Sequence, residues 1–363
     1  MPEPQPVREP QPVPERRPRI SVVVCTYTAE RLPLLRDLAR SLTDATRRPA
    51  ELIVIVDRNP ALFETIRDAA AAATPPWTLP TRVLESDGAG LSAARNTGWR
   101  AARTGWVAFI DDDATASVDW LDELGSAVRE HGADIVGGRI DPGWPAGAPN
   151  WYSRRLGWVV GCSFDGQPTE AARVRNVIGC NMLIRRSLLQ RLGGFDDRLG
   201  RIAGGLAGCE ETELCIRANA IGAKVVSIPN AAVRQILPAE RATLAYALRR
   251  AWHEGISKAA LRRLHRDRDD VLQLEDAYAK ALLAEAVHRA AAAVTRRDVR
   301  ELQRAAALVA VLAETAIAYA LHGGLQQPGT AAAATGAVTR LQRRPRHPRV
   351  PADRRAIAVK RST

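Results

Sequence analysis

The sequence predicts an α/β fold: a mostly parallel sheet flanked by helices, with a helical extension at the C-terminal end. Three observations lead there. Continuous apolar, β-branched runs such as Ile20–Tyr27 and Glu51–Val56 alternate with segments whose apolar residues recur three and four apart. Those helical segments are about a dozen residues long, the length that carries the chain from one parallel strand to the next. From Ala239 to Leu321 nearly all of the chain has helical composition.

The elements follow in order. "MPEPQPVREPQPVPERRPR" has no apolar core and reads as an extended Pro-rich tether over 1–19 rather than a signal peptide. "RISVVVCTY" has the look of a strand buried on both faces. A helix, "LPLLRDLARSL", follows it, then the strand "ELIVIVD", the helix "ALFETIRDAAAAA", the short strand "TRVLES", the helix "GLSAARNTGWRAART" and the strand "WVAFIDDD". From Ile135 to Ala207 Gly, Pro and Trp accumulate, which predicts long loops that cover or line a site. Within that region "VRNVIGCNMLIRR" reads as a strand, and after it "EETELCIRANAIG" reads as a helix and "AKVVSIP" as a short strand. About three helices then lead to a basic, Pro-containing tail. The implied domains are a tether at 1–19, an α/β domain at 20–238, a helical subdomain at 239–325 and a disordered tail at 326–363.

The net charge of +12 is uneven: residues 1–233 hold 28 Lys/Arg and 28 Asp/Glu, whereas 234–363 hold 24 and 12. Such asymmetry suggests a neutral body with a basic extension that meets something acidic. Arg249, Arg250, Lys258, Arg262 and Arg263 lie beside apolar faces, so an anionic membrane surface and ordinary solvated helix faces both stay open. No nucleic acid is expected as a partner, because no aromatic-interleaved basic patch or known module is present. Five scattered cysteines without a CxxC pair exclude a disulfide scaffold or zinc ribbon and fit a reducing compartment. The apolar stretch from Ala305 is Ala-rich and interrupted by Glu314, and is expected to fall short of a membrane span. Neither GxGxxG nor GxxxxGK[ST] occurs.

In an open parallel sheet, ligands sit at the carboxyl ends of the strands. Asp57 and the triplet Asp111, Asp112, Asp113 both end apparent strands and so should share one rim. Read as strand residues, Asp111 and Asp113 project one way and Asp112 the other. A D-x-D pair of that kind can hold a divalent cation, whose charge lets both carboxylates stay ionised. Hard oxygen ligands with no nearby His or Cys suggest Mn²⁺ or Mg²⁺, with diphosphate oxygens completing the shell. The plainer alternative is capping of the helix "SVDWLDELGSAV", which needs one acidic residue rather than three. Trp144, Trp151 and Trp158 are expected to pack rather than to stack on a sugar.

With these residues in view, the sequence resembles the family-2 glycosyltransferases, inverting enzymes of the GT-A fold. The resemblance rests on an ordered set from Ile20 to Pro238: "SVVVCTY", "VIVD", "GLSAARNTG", "FIDDDA", "VRNVIGCNMLIRR", "GGFDDRLGR" and "CEETELCIRA". The following "PAERATLAYALRRAWHEGISKA" resembles a bacterial and archaeal subset that includes enzymes acting on lipid-linked sugars. The resemblance implies transfer of a sugar from a nucleotide-diphosphate sugar to a hydroxyl of a glycan, a lipid-linked sugar or a small molecule. It implies that Thr26 and Tyr27 lie beside the nucleoside, that Asp57 accepts a hydrogen bond from the base, and that Arg95 approaches the phosphates. Asp111 and Asp113 match the metal pair, with the first of them at the ribose, and Asp112 lies between them in the nucleotide-binding set. Glu211 matches the catalytic base, with Glu210 and Glu213 in support.

One departure stands out. Where many relatives carry a His after the last strand, this sequence has Gln235, next to Arg234; Arg234 could take over at the diphosphate through a bidentate contact. The departure leaves room for a non-catalytic sugar-nucleotide or membrane-surface binding homologue. A nucleotidyltransferase of the same fold is the other alternative, although "CTYTAERLP" lacks a Gly-rich basic loop. The expected location is the cytoplasm, at the inner face of the plasma membrane if the basic helices meet lipid.

Overall fold

The computed structural model describes residues 17–201, 205–268 and 271–323, so residues 1–16 of the expected tether and all of the expected tail lie outside the described residues. The chain begins with β1 (Ile20–Thr26), α1 (Leu32–Thr43), β2 (Glu51–Val56), α2 (Pro60–Ala71), β3 (Thr81–Glu85), α3 (Leu91–Ala101) and β4 (Trp106–Ile110). It continues with β5 (Ala114–Ala116), α4 (Trp120–His131), β6 (Ile135–Gly143), β7 (Ala172–Arg173), β8 (Asn181–Arg185), α5 (Arg186–Leu192), α6 (Glu210–Ala220) and β9 (Val225–Ile236). Three helices follow: α7 (Leu244–Leu264), α8 (Gln273–Arg296) and α9 (Val299–Gly323).

The strands form one sheet in the order β3-β2-β1-β4-β8-β6-β9-β5, with β7 beside β9. β3, β2, β1 and β4 run parallel, Val22 lying opposite both Leu52 and Ala108. β8 runs antiparallel to β4 and β6. The ends of β1, β2 and β4 therefore share a rim, as expected of parallel strands.

Side-chain alternation decides which helices cover which face. Ile20, Val22 and Val24 of β1 join Leu35, Leu38 and Leu42 of α1 on one face, while Val23 joins Ala94 and Trp99 of α3 on the other. Leu35, Leu38 and Leu42 are buried and spaced three and four apart, the pattern that made α1 readable. Replacing any of them with Ala should cost about 2–5 kcal/mol. α3 lies directly on the sheet: a Cβ at Gly98 would stand 2.3 Å from Cγ1 of Val23. That close seat carries Arg95, one turn earlier, toward the strand ends.

β6 lies where irregular loops were expected. Its sequence, "IVGGRIDPG", carries glycines that weaken a strand signal, yet they are what the packing requires. A Cβ at Gly138 would meet the Ala231 carbonyl oxygen at 1.9 Å, and one at Gly137 would meet Val177 at 2.4 Å. The register between β6 and β9 shifts at this point. β9 is also longer than the short strand expected, running on from "VVSIP" through "NAAVRQI" to Ile236.

Ala247 and Ala251 of α7, Leu282 and Ala286 of α8, and Ala307, Leu308 and Val311 of α9 belong to the same apolar cluster as α1 and one face of the sheet. The basic residues of α7 divide, with Arg249 and Arg263 exposed and Arg250 buried. Arg250 and Lys258 are drawn inward to Glu254 at 2.7 and 3.1 Å, and Arg263 donates to the His322 carbonyl at 2.7 Å. The buried Glu254 carboxylate accounts for the first two, because a charge taken out of water needs partners. α9 includes the stretch from Ala305 and is, among the described residues, long and apolar enough to cross a membrane by length and composition.

Candidate functional site

β4 stops at Ile110, and the three aspartates form a turn closed by the Ala114 amide donating to the Asp111 carbonyl at 3.1 Å. The expected strand alternation therefore does not hold there. Asp112 and Asp113 are both 2% exposed, whereas the Asp111 side chain keeps 29% of its surface. Asp112 and Asp113 are thus the buried members of the triplet, and Asp112, expected to project the other way, shares Arg31 with Asp113. Nor does the triplet cap α4, whose first turn follows Asp119.

Two adjacent buried carboxylates need compensating donors. Arg31, at the entry to α1, supplies them: Nη1 lies 2.5 Å from Asp112 Oδ1 and Nη2 lies 3.3 Å from Asp113 Oδ2. Gln235 Nε2 donates to Asp113 Oδ1 at 3.1 Å, and Arg241 Nη2 lies 3.5 Å from Asp113 Oδ2. Burial pushes the Asp112 carboxyl up to about 6, against the Arg31 charge and with a further push from Asp113.

A second network crosses to the start of α6. Arg95, buried on α3, donates through Nη1 to Glu210 Oε1 at 2.9 Å, and its Nη2 lies 3.5 Å from Asp111 Oδ1. Its guanidinium rests 5.6 Å from the Phe195 ring centroid, and a Cβ at Gly179 would crowd it at 2.7 Å. This is a fixed interior cation, not a surface salt bridge. Glu210 Oε2 is buried with no hydrogen-bond partner among the described residues. Glu211, next in the chain and half-buried, has no ion-pair partner among the described residues. Its carboxyl is pushed up to about 8 by burial and by the Glu210 charge, against the pull of Arg95. Glu213 supports from its own helix: it holds Arg217 at 2.6 Å, and Arg217 donates to the carbonyls of Leu192 and Gly194 at the end of α5.

At the other end of the rim, Asp57 Oδ2 accepts the Gly90 amide at 3.0 Å, tying β2 to the start of α3. The second carboxylate oxygen faces Arg58 at 3.2 Å. Thr26 is buried beneath the rim and Tyr27 stands 47% exposed on it.

The structure thus brings Thr26, Tyr27, Asp57, Arg95, Asp111, Asp112, Asp113, Glu210, Glu211 and Gln235 together around the carboxyl-end rim of the sheet. It does not bring Arg234 there. Alternation along β9 sends Arg234 outward beside Gly143 and Gln235 inward, so the guanidinium at Asp113 comes from Arg241 instead. Sequence reasoning missed Arg31 and Arg241. Arg31 lies only five residues past the buried Thr26, but the carboxylate that gives it a role is 81 residues on. Arg241 carried no signal, being brought in by a short turn 128 residues after Asp113. Trp151 and Trp158 pack by donating to the Ala242 carbonyl and the Tyr278 hydroxyl.

Among the described residues no group of three or more His, Cys, Asp or Glu is arranged to hold a metal. The donor chemistry still fits a hard divalent cation that takes most of its shell from a ligand: Asp111 is a part-exposed carboxylate and Asp113 stands two residues on in the same turn. A cation there has to contend with Arg31.

Residues 21–193 match the family described as Glycosyl transferase family 2. The chain is 30% identical over 269 residues to the glucosyl-dolichyl phosphate glucuronosyltransferase of Haloferax volcanii, spanning 73% of this chain and 83% of that one. It is 29% identical over 251 residues to the succinoglycan biosynthesis protein ExoM of Rhizobium meliloti, spanning 67% and 75%. Among solved structures, the mannosyltransferase PcManGT from Pyrobaculum calidifontis, in complex with GDP-Man and Mn²⁺, superposes with a TM-score of 0.51 at 19% identity, over 93% of this chain and 85% of that one. The last likeness is one of fold.

Proposed function

The chain belongs to the family-2 glycosyltransferases, and from that premise we propose that it transfers a sugar from a nucleoside-diphosphate sugar with inversion, using Glu211 as general base. The observation that carries this reading is the buried Arg95, which pairs with Glu210 and Asp111 at once and so links the base-bearing helix to the strand-end rim.

In this reading the nucleoside lies along Thr26, Tyr27 and Asp57, and the diphosphate lies across Asp111, Asp112 and Asp113. A Mn²⁺ or Mg²⁺ held by Asp111 and Asp113 would act as a Lewis acid on the charge of the departing diphosphate. The chain's own cations, Arg31 and Arg241, face the same charge. Glu211 takes the proton of the acceptor hydroxyl as it attacks the anomeric carbon from the far side. A single displacement needs one base and no carboxylate nucleophile. The raised affinity of Glu211 for protons suits a base working near neutral pH. Glu210 Oε2, buried and without a hydrogen-bond partner among the described residues, is available to a second acceptor hydroxyl.

The Haloferax volcanii relative is named for a glucosyl-dolichyl phosphate, and we take a lipid-linked sugar as the acceptor class here. An exposed apolar stripe supports it: Leu302, Val309, Ile317 and Leu321 on α9, with Leu283, Val287 and Val294 on α8. The 40 residues after α9 hold nine Lys/Arg and one Asp. An apolar stripe followed by basic chain suits the anionic inner face of the plasma membrane. Residues 20–238 then form the catalytic domain and 239–325 the helical subdomain that meets the lipid.

The test is a panel of nucleotide sugars incubated with Mn²⁺ and a lipid extract, with products followed by mass spectrometry. Sugar transfer that is lost in Asp113→Ala supports the reading. If no sugar is transferred to any acceptor in the extract, or if Asp113→Ala transfers it as well as the wild type, the reading is wrong.

A further inference from the structure

Arg31 sits on the acidic rim with its side chain part-exposed above two buried carboxylates. Of the three donors on Asp113, Gln235 and Arg241 are buried and fixed, Arg241 by a bond from Nη1 to the Val160 carbonyl at 3.2 Å. Arg31 differs: its side chain is 22% exposed, and its guanidinium lies 5.6 Å from the ring centroid of the exposed Tyr27. It leaves Asp113 little room for another cation. Oδ1 is taken by Gln235 and Oδ2 is shared by Arg31 and Arg241. Two positive charges also repel each other at that range.

We propose that Arg31 is a built-in counter-cation, which neutralises Asp112 and Asp113 in the ligand-free protein and must swing outward before a divalent cation binds Asp113. The inference rests on the reading of Asp113 as a metal ligand. Its physical basis is competition for one pair of carboxylates. Without any cation, two neighbouring buried carboxylates are costly, so the ligand-free fold needs Arg31 in place. With the guanidinium in place, the site is competent only in the fraction of molecules where Arg31 has turned out, and the apparent affinity falls by that fraction. An entering diphosphate offers the displaced guanidinium a partner, which makes donor and cation binding mutually supportive.

The experiment is a Mn²⁺ titration of the full chain without nucleotide, read from the free-ion signal in electron paramagnetic resonance. Wild type, Arg31→Gln, Arg31→Lys and Asp113→Asn are compared. If the competent fraction is at most about a tenth, Arg31→Gln binds Mn²⁺ roughly tenfold tighter or more than wild type. Arg31→Lys falls between them, because an ammonium cannot bridge both carboxylates as a planar fork does. Asp113→Asn loses the site. Thermal melting gives a second readout that does not depend on activity. Arg31→Gln melts lower than wild type without Mn²⁺, and saturating Mn²⁺ closes the gap; if Arg31→Gln does not fold, Arg31→Lys carries both readouts. Tighter binding in the Arg31 variants supports the inference. Equal or weaker binding there, with binding still lost in Asp113→Asn, overturns it and leaves the metal reading intact. Absence of Mn²⁺ binding in all four proteins overturns both.

Discussion

Gln235 donates from Nε2 to Asp113 Oδ1 at 3.1 Å, reaching from the last strand of the sheet to the acidic turn after β4. Both side chains are buried, so the amide satisfies an oxygen that water does not reach. Where an imidazole was the expectation, an amide does the neutral half of the same work: it donates a hydrogen bond. The missing positive charge is supplied nearby by Arg241 and Arg31.

Gln235→Leu keeps the volume and removes the donor. A buried carboxylate oxygen left unpaired costs about 1–3 kcal/mol, or more for a charged group. The melting temperature should fall by several degrees, and a urea titration should give a lower midpoint with an unchanged slope. Gln235→His restores a donor and should lose less than Gln235→Leu.

Arg95→Met removes the cation between Glu210 and Asp111. Breaking a buried pair by deleting one partner costs about 3–5 kcal/mol, because the other charge stays behind. The variant should be recoverable only at reduced temperature, and chemical denaturation should register the loss. Arg95→Lys should recover part of it. A surface salt bridge in the same place would have cost about 0–1 kcal/mol, a difference the titration resolves easily.

The strand ends, the α1 and α3 helices and the acidic start of α6 were all legible, because each is written in local periodicity or in the end of an apolar run. Asp57 and Thr26 fall where the ends of β2 and β1 put them. What escaped was set by contacts between distant parts of the chain. The aspartate triplet reads locally as a strand extension, but the chain turns at Asp111 so that β5 can pair with β9. Gly137 and Gly138 look like loop residues, and only the approach of Val177 and Ala231 explains them. Arg31 and Arg241 are ordinary surface arginines by composition. Their roles come from carboxylates 81 and 128 residues away.

Glu211 should make the protein less stable as the pH rises. Its folded-state affinity for protons is raised from the ordinary carboxylate value near 4.5 to about 8, chiefly by burial. Between those values the folded state binds more protons than the unfolded one, so stability falls with increasing pH across that window. Glu211→Gln lacks this penalty. Relative to wild type it should gain melting temperature steadily from about pH 5 to pH 8 and show no further gain above. A pH-independent difference would mean that the carboxyl is not buried as described.

Val309→Asp and Ile317→Asp, made together, should weaken binding to vesicles of anionic lipid without lowering the melting temperature, because both side chains are exposed on α9. Binding of the wild type should fall as salt rises, since about 1 kcal/mol per basic residue near the surface is screened. If the stripe instead joins two copies of the chain, the double variant will be a monomer by light scattering where the wild type is a dimer.

The most direct test of the account is a single-turnover comparison of Glu211→Gln with the wild type on one accepted nucleotide sugar. Donor binding should remain within about twofold, because Glu211 is assigned to the acceptor side, while transfer should fall by roughly 10²–10⁴. The wild-type rate should climb with pH toward about 8 as Glu211 loses its proton. Transfer by Glu211→Gln within a few-fold of wild type, with the same pH profile, would contradict the account and assign the base to another residue.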